Sequence, residues 1–278
     1  MWRTRAVLSY KSAEEIRKMR MAGLCVWHAL QIARLTARAG ITTADIDAPI
    51  AKFYENVGAI PLFKGVPGRV PFPAVNCISV NEEVVHGIPG RRQLKEGDIV
   101  SVDTGCKIGG WCGDSAVTIP VGEISEVRQR LLDVTKNVLQ IAIDVMPKCK
   151  MWHEVGTKME AYVHKNGFSV VETLVGHGIG RNMHEPPQVP NFYCRDTIKK
   201  GGDFEIRPGL VIAVEPMINV GTKDVRVLSD HWTIVTCDHK PSAHFEHTLA
   251  VTESGIKVLT GAPQTEEEKI DISPYVPA

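Results

Sequence analysis

A ten-residue pattern occurs twice in this chain, and it limits the fold more than any other feature. Leu94-Lys95-Glu96-Gly97-Asp98-Ile99-Val100-Ser101-Val102-Asp103 is matched by Ile206-Arg207-Pro208-Gly209-Leu210-Val211-Ile212-Ala213-Val214-Glu215 at an offset of 112. Each copy runs from a turn glycine through an apolar, β-branched segment to a carboxylate, the signature of a buried strand ending on an acid. The flanking segments repeat as well. In the first half, Ser12 and Glu15 form a capping box, and Ile16, Met19, Gly23, Trp27, Leu30 and Ala33 recur at helical spacing, predicting a long amphipathic helix ending near Gly40. A second helix is predicted from Thr43 to Gly58, with Ile46, Ile50, Phe53 and Val57 on one face and Pro49 within its first turns. Strands follow at Cys77–Val80, Ile99–Thr104 and Ser115–Ile119. The second half predicts a helix from Ser125 to Met146 stopped by Pro147. Another follows from Trp152 to Asn166, with Val155, Met159 and Val163 inward and Gly167 at its end, and then more strands. Ile46 and Gly58 fall on Val155 and Gly167 at a similar offset of 109.

Two related helix-helix-strand halves facing each other place the chain in the α/β (α+β) class, with Asp103 and Glu215 across one central site. The expected boundaries are an N-terminal extension over 1–11, one catalytic domain over 12–260 with halves of about 12–121 and 122–260, and a tail over 261–278. The tail, with TEEEK followed by two prolines, shows no periodic apolar face and reads as a loose extension.

Composition excludes several classes. Of 278 residues 44% are apolar, enough for one large core or two closely packed halves, while 32 basic residues balance 32 acidic ones. No global field therefore favours nucleic acid or an anionic membrane. No apolar run approaches a membrane span, and the basic start at Arg3 and Arg5 has no apolar stretch behind it, so the expected location is the cytoplasm. Seven cysteines without a CxxC pair fit reduced thiols, and Cys106 and Cys112 lack the neighbours of a metal site.

Chemistry concentrates on Asp103, Asp114, His177, Glu215 and Glu246, each in an apolar or glycine-containing context. Four carboxylates cannot share an apolar interior as anions without compensating positive charge, and a divalent cation supplies it. One imidazole with four carboxylates is too oxygen-rich for a structural zinc of the Cys/His type and has enough oxygens to bridge two ions. Asp103 and Asp114 flank Gly109-Gly110, so a hairpin closing there sets them nearly opposite on one face; an isolated strand-end Asp would more often cap a turn or meet an arginine. Three glycines crowd His177 in Gly176-His177-Gly178-Ile179-Gly180, which suits positive φ or close backbone approach at a cleft. Taken alone, His177 and His184 are as readily core residues as functional ones, and His86 before Gly87 is a weak signal.

The blocks NEEVVHGIP, SVDTG, GWCGDSAVT, VGHGIGRNMHEPPQVPN, VEPMI and HFEHT resemble those of the type I methionine aminopeptidases over residues of about 12 to 256. The interval between Glu215 and Glu246 lacks the long helical insertion of the type II enzymes. The resemblance implies a pita-bread fold, two pseudo-symmetric halves around a central curved antiparallel sheet. It also implies two divalent ions (Co, Mn, Fe or Zn) held by Asp103, Asp114, His177, Glu215 and Glu246. The implied activity is removal of initiator methionine from nascent proteins and peptides with a small second residue, by attack of a metal-bridging water or hydroxide. His86, His184 and Glu215 would be the catalytic residues. Phe72, Cys77, Met183 and Trp232, with His86 and His184, would bind substrate; the first four would form a slot with sulfur and π surface suited to a thioether, although such residues also make ordinary core. Expected partners are the N-terminal Met of nascent polypeptides and, transiently, the ribosome, with no membrane or specific nucleic acid, for a monomeric enzyme. The sequence departs from the commonest family pattern over Gly65–Pro73 and Asn191–Arg207, at the pocket rim and outer subsites. Two other readings remain: an enzyme of the prolidase and aminopeptidase P group, which usually carries a further N-terminal domain, and a non-catalytic pita-bread binding protein that has lost its ligands.

Overall fold

The computed structural model describes residues 8–276. The basic start at Arg3 and Arg5 lies outside the described residues. Two long helices, α1 (Ala13–Thr36) and α2 (Thr43–Val57), precede the first sheet, and α3 (Glu126–Val145) and α4 (Trp152–Lys165) precede the second; a short α5 (Arg195–Lys199) interrupts the later strands. Every strand ladder among the described residues is antiparallel. In the first half, the hairpin Ile99–Ile108/Trp111–Pro120 pairs along its whole length and takes Cys77–Val80 on its outer side. In the second, Val211–Val214 lies between Gly176–Gly178 and His247–Thr252 in a five-stranded sheet.

The sequence repeat is a structural one. Gly97 and Gly209 both take positive φ, +88° and +93°, closing equivalent turns before equivalent strands. The Gly97 N–H donates to the Val121 carbonyl at 2.9 Å and the Val121 N–H to that of Asp98 at 2.9 Å. In the second half, the Gly209 N–H donates to Val251 at 2.9 Å and the Val251 N–H to Leu210 at 2.8 Å. Each half also has its own core: Ile46, Phe53, Val100 and Val117 belong to one, and Leu131, Val155, Ile212 and Leu249 to the other. Phe245 packs against both.

Three expectations change. The first helix is capped by the Ser12/Glu15 box but ends at Thr36, and Ala22–Val26 are buried on all sides because the hairpin, α2 and the C-terminal segment surround them. Trp27, expected inward, is half-buried. Pro49 sits beyond the first turn of α2, where its missing N–H removes an intrahelical bond. The tail is not loose. Arg20 donates to the carbonyls of Leu259, Gly261 and Ala262 at 2.7–2.8 Å and pairs with Glu268 at 2.8 Å. Farther along, the Ile270 N–H donates to His28 Nε2 at 3.0 Å, and the Tyr275 ring meets Phe53 edge-on at 5.3 Å. No described helix is long and apolar enough to cross a membrane.

Candidate metal centre

The two halves meet where the acids lie. The Asp114 N–H donates to Thr248 Oγ1 at 3.1 Å, and the Glu246 N–H donates to the Ala116 carbonyl at 3.0 Å, so the strands Trp111–Pro120 and His247–Thr252 are joined across the seam at two ligand positions. Asp103 faces Ala116 in the ladder and Asp114 faces Gly105, which makes the two aspartates diagonal neighbours on one sheet face rather than directly opposite. Glu215 follows the fully buried strand Val211–Val214, and His177 pairs with Ala213 of that strand.

Ligand atoms of Asp114, His177 and Glu246 all lie within 4.8 Å of one another. His177 Nε2 is 3.9 Å from Asp114 Oδ2 and 3.5 Å from Glu215 Oε1. The opposite ring nitrogen, Nδ1, is 2.9 Å from the Gly178 carbonyl, which can only accept; the proton belongs on Nδ1, leaving the Nε2 lone pair turned to the carboxylates. Burial pushes the His177 pKa down to about 4, helped by the neighbouring His184, so the ring is a neutral donor of electrons at physiological pH.

The acids show the strain of sharing this space. Burial, reinforced by their mutual repulsion, raises the carboxyls of Asp103, Glu215 and Glu246 well above the usual range, and burial lifts Asp114 to about 7. Asp103 Oδ1, Asp114 Oδ1 and Glu246 Oε1 are buried acceptors with no donor. An oxygen-rich donor set with unsatisfied oxygens and one lone pair converging is what a divalent cation would satisfy, so the residues present fit the group that the chemistry demands.

Of the two uses expected of the glycines around His177, the structure shows close backbone approach. None has positive φ. A Cβ on Gly176 would lie 2.3 Å from the Ala213 carbonyl oxygen and one on Gly178 2.2 Å from that of Pro186, so glycine is required for close approach of protein backbones, not of a substrate.

Of the remaining predicted residues, His184 meets His177 edge-on with ring centroids 4.4 Å apart, and His86 stands 6.4 Å from Trp232. Burial lowers the pKa of His184 and takes that of His86 to about 4, the latter also through His184. His86 has φ of +59°, a left-handed backbone at a non-glycine residue, of the kind that concentrates at functional sites. Phe72, Cys77, Met183 and Trp232 form one apolar cluster with Phe63, and Cys77 is the ladder partner of Asp103, so this cluster adjoins the acids. Trp232 is held there by its Nε1–H, which donates to the Val70 carbonyl at 2.7 Å, and by an edge-on contact with Phe72 at 5.3 Å. A cleft of about 1620 Å³ is lined by His86, Asp103, His177, His184 and Glu215 and extends to Lys150, Lys199, Lys200 and Arg207.

Sequence reasoning missed several neighbours. Phe63 and Val66 reach the apolar cluster through a turn that periodicity does not describe. Asn191, fully buried, donates its amide to the Glu215 carbonyl at 3.2 Å. His244, two residues before Glu246, is buried with both ring nitrogens unpaired, and its place inside HFEHT was the available signal.

Residues 17–253 match the metallopeptidase family M24. Among curated proteins the chain is 43% identical over 250 residues to methionine aminopeptidase 1 of Bacillus subtilis (strain 168), covering 90% of this chain and 98% of that protein. It is 42% identical to a methionine aminopeptidase of Clostridium perfringens, covering 90% and 97%. The crystal structure of methionine aminopeptidase from Thermotoga maritima superposes with a TM-score of 0.85 at 39% identity, covering 92% of this chain and all of that one. Prolidase from Pyrococcus furiosus shares the pita-bread fold at a TM-score of 0.70, but at 18% identity that likeness concerns the fold alone. The chain belongs to metallopeptidase family M24 and, within it, to the methionine aminopeptidases.

Proposed function

We propose that this protein is a metal-dependent exopeptidase that removes the initiator methionine from nascent proteins and peptides whose second residue is small. The observation that carries the reading is the adjacency of Asp103, a member of the acid cluster, and Cys77, a member of the apolar cluster, as ladder partners. Two divalent ions of the Mn, Fe, Co or Zn kind, held by Asp103, Asp114, His177, Glu215 and Glu246, would supply Lewis acidity and a nucleophilic water at neutral pH.

The chain's own residues do the rest. Glu215 takes the proton from the attacking water and returns it to the leaving amine. His184, neutral and beside His177, donates a hydrogen bond to the oxygen on which negative charge develops at the scissile carbonyl. His86, near Trp232, hydrogen-bonds around the scissile amide nitrogen. Phe72, Cys77, Met183 and Trp232 take the methionine side chain: an unbranched thioether follows a narrow slot lined by sulfur and aromatic edges, whereas a γ-branched leucine meets its walls. Nascent chains as substrates imply action in the cytoplasm by a monomer, in transient contact with the ribosome.

Turnover of Met-Ala-Ser, Leu-Ala-Ser and Ala-Pro peptides tests the proposal. We expect Met-Ala-Ser to be cleaved at least about 100-fold more efficiently than either, since misfitting a shaped apolar pocket costs about 1–3 kcal/mol or more. Equal cleavage of the Met and Leu peptides overturns the pocket assignment, and preferential cleavage before proline overturns the function.

A further inference from the structure

His244 belongs to neither the ligand set nor the catalytic histidines. Its side chain is 1% exposed, and neither ring nitrogen has a hydrogen-bond partner. Orphaned polar atoms at such depth call for a reason, because an unmet hydrogen bond in the interior costs free energy that an apolar side chain would avoid. The backbone around it is fixed on two sides. The His244 N–H donates to Thr118 Oγ1 at 2.9 Å, the same hydroxyl lies 2.9 Å from the His244 carbonyl, and the residue pairs with Met217 in the neighbouring strand. The ring is therefore presented by rigid elements.

What it is presented to is Glu215. The two oxygens of that carboxyl are sorted between two imidazoles: Oε1 is 3.5 Å from His177 Nε2, and Oε2 is 3.8 Å from His244 Nε2. At 3.8 Å no hydrogen bond exists, but the gap is of the size that a small rotation of the glutamate closes, and hydrogen bonds in unliganded active sites often tighten only when the site is filled. An imidazole can carry an N–H on Nε2, and a donor there faces the carboxyl oxygen.

We infer that His244 is a positioning residue for Glu215: its Nε2–H holds Oε2, which leaves Oε1 directed to the ligand cluster beside His177. A carboxylate that must both face a metal and handle a proton needs its two oxygens distinguished, and a fixed donor on one of them does this. The inference rests on the proposed function, since it presumes that Glu215 has those two tasks.

The test compares His244→Gln, which retains an amide donor, with His244→Leu, which fills similar volume without one. Circular dichroism confirms folding, and should the leucine variant not fold, His244→Met, more adaptable in shape, replaces it. Mn²⁺ affinity by calorimetry and kcat and KM on Met-Ala-Ser are then measured. We expect His244→Leu to weaken Mn²⁺ binding by about 10-fold or more, the range for lost outer partners of ligands. It should also lower kcat by at least that factor with KM changed little, while His244→Gln stays within about 3-fold of wild type in both. In a Glu215→Gln background, where no carboxylate remains to be sorted, His244→Leu should add nothing to the loss of Mn²⁺ affinity. Wild-type behaviour of the leucine variant overturns the inference, since the ring then only fills space. Equal damage in the glutamine and leucine variants, or additive losses in the Glu215→Gln background, overturns it as well. Absence of metal-dependent methionine release by the wild-type protein would instead sink the function on which the inference rests.

Discussion

Asp114 and Thr248 are bonded to each other twice, through the backbone N–H and C=O of the aspartate and the hydroxyl of the threonine. The Asp114 N–H donates to Thr248 Oγ1 at 3.1 Å, and that hydroxyl donates to the Asp114 carbonyl at 2.8 Å. One side chain of the second half thus satisfies both backbone groups of a candidate ligand in the first. Thr248→Val keeps the shape and removes the hydroxyl, leaving a buried N–H and C=O unpaired. The expected cost is about 2–6 kcal/mol, from about 1–3 kcal/mol for each buried unsatisfied group, with a parallel loss of Mn²⁺ affinity. Thr248→Ser should recover most of both. Urea denaturation checks the stability, and unchanged stability of the valine variant would show that the seam is held elsewhere.

His86 carries a left-handed backbone. A Cβ at φ of +59° costs about 1–2 kcal/mol, which glycine avoids. His86→Gly should therefore be as stable as or more stable than His86→Ala, reversing the usual order, while both lose activity and keep metal. Thermal unfolding of the pair, with metal content measured alongside, decides it; an emptied site in either variant would contradict a role for His86 outside the ligand set.

Lys11 and Glu185 form an ion pair at 2.9 Å with side chains 3% and 12% exposed, tying the segment before α1 to the residue after His184. Lys11→Met leaves the partly buried Glu185 without its cation and should cost about 1.5–3 kcal/mol, the range for a hydrogen bond to a charged group, whereas Lys11→Met with Glu185→Leu should regain most of that loss. A double variant no more stable than the single one would refute the pairing argument.

Metal binding should be linked to protons. The folded pKa of Asp114, about 7, lies above the ordinary aspartate value of 3.8. Without metal, the folded protein thus binds more protons than the unfolded chain between those limits, and this group's contribution falls as pH rises through them. His86 and His177 have the opposite sign: their folded pKa values of about 4 lie below the ordinary histidine value of 6.5, so stability falls as pH drops between those two values. Metal requires the carboxylates ionised and the imidazole neutral, so binding at pH 6 should release at least one proton, and the rise in Tm on adding Mn²⁺ should be larger at pH 8 than at pH 5.5. Calorimetry in two buffers of different ionisation enthalpy reads the proton count; identical enthalpies would contradict the linkage.

The sequence made some of this legible and concealed the rest for physical reasons. The Gly97 and Gly209 turns and the acid closing each apolar run could be read because a buried run with a carboxylate after it is locally unusual, but only the second strand stops there, at Val214, whereas the first continues through Asp103 to Ile108. The diagonal offset of Asp103 and Asp114 follows from the Gly109-Gly110 closure that the sequence shows: with Ile108 paired to Trp111, Asp103 lies farther from the turn than Asp114 and so faces Ala116, which the expectation of nearly opposite aspartates overlooked. The anchored C-terminal segment escaped notice because its contacts are backbone carbonyls taken by Arg20, which leave no hydrophobic period. His244 was hidden because its role depends on Glu215, which is distant in sequence and 3.8 Å away in space.

The account stands or falls on whether the Asp103, Asp114, His177, Glu215 and Glu246 cluster works through metal. The most direct measurement is release of free methionine from Met-Ala-Ser by protein stripped with a chelator, verified metal-free by elemental analysis, and titrated with Mn²⁺, Fe²⁺ or Co²⁺. The account predicts no turnover before addition, recovery that follows occupancy, and little recovery for Asp114→Asn or Glu246→Gln at the same metal concentration. Full turnover by the verified metal-free protein would contradict it.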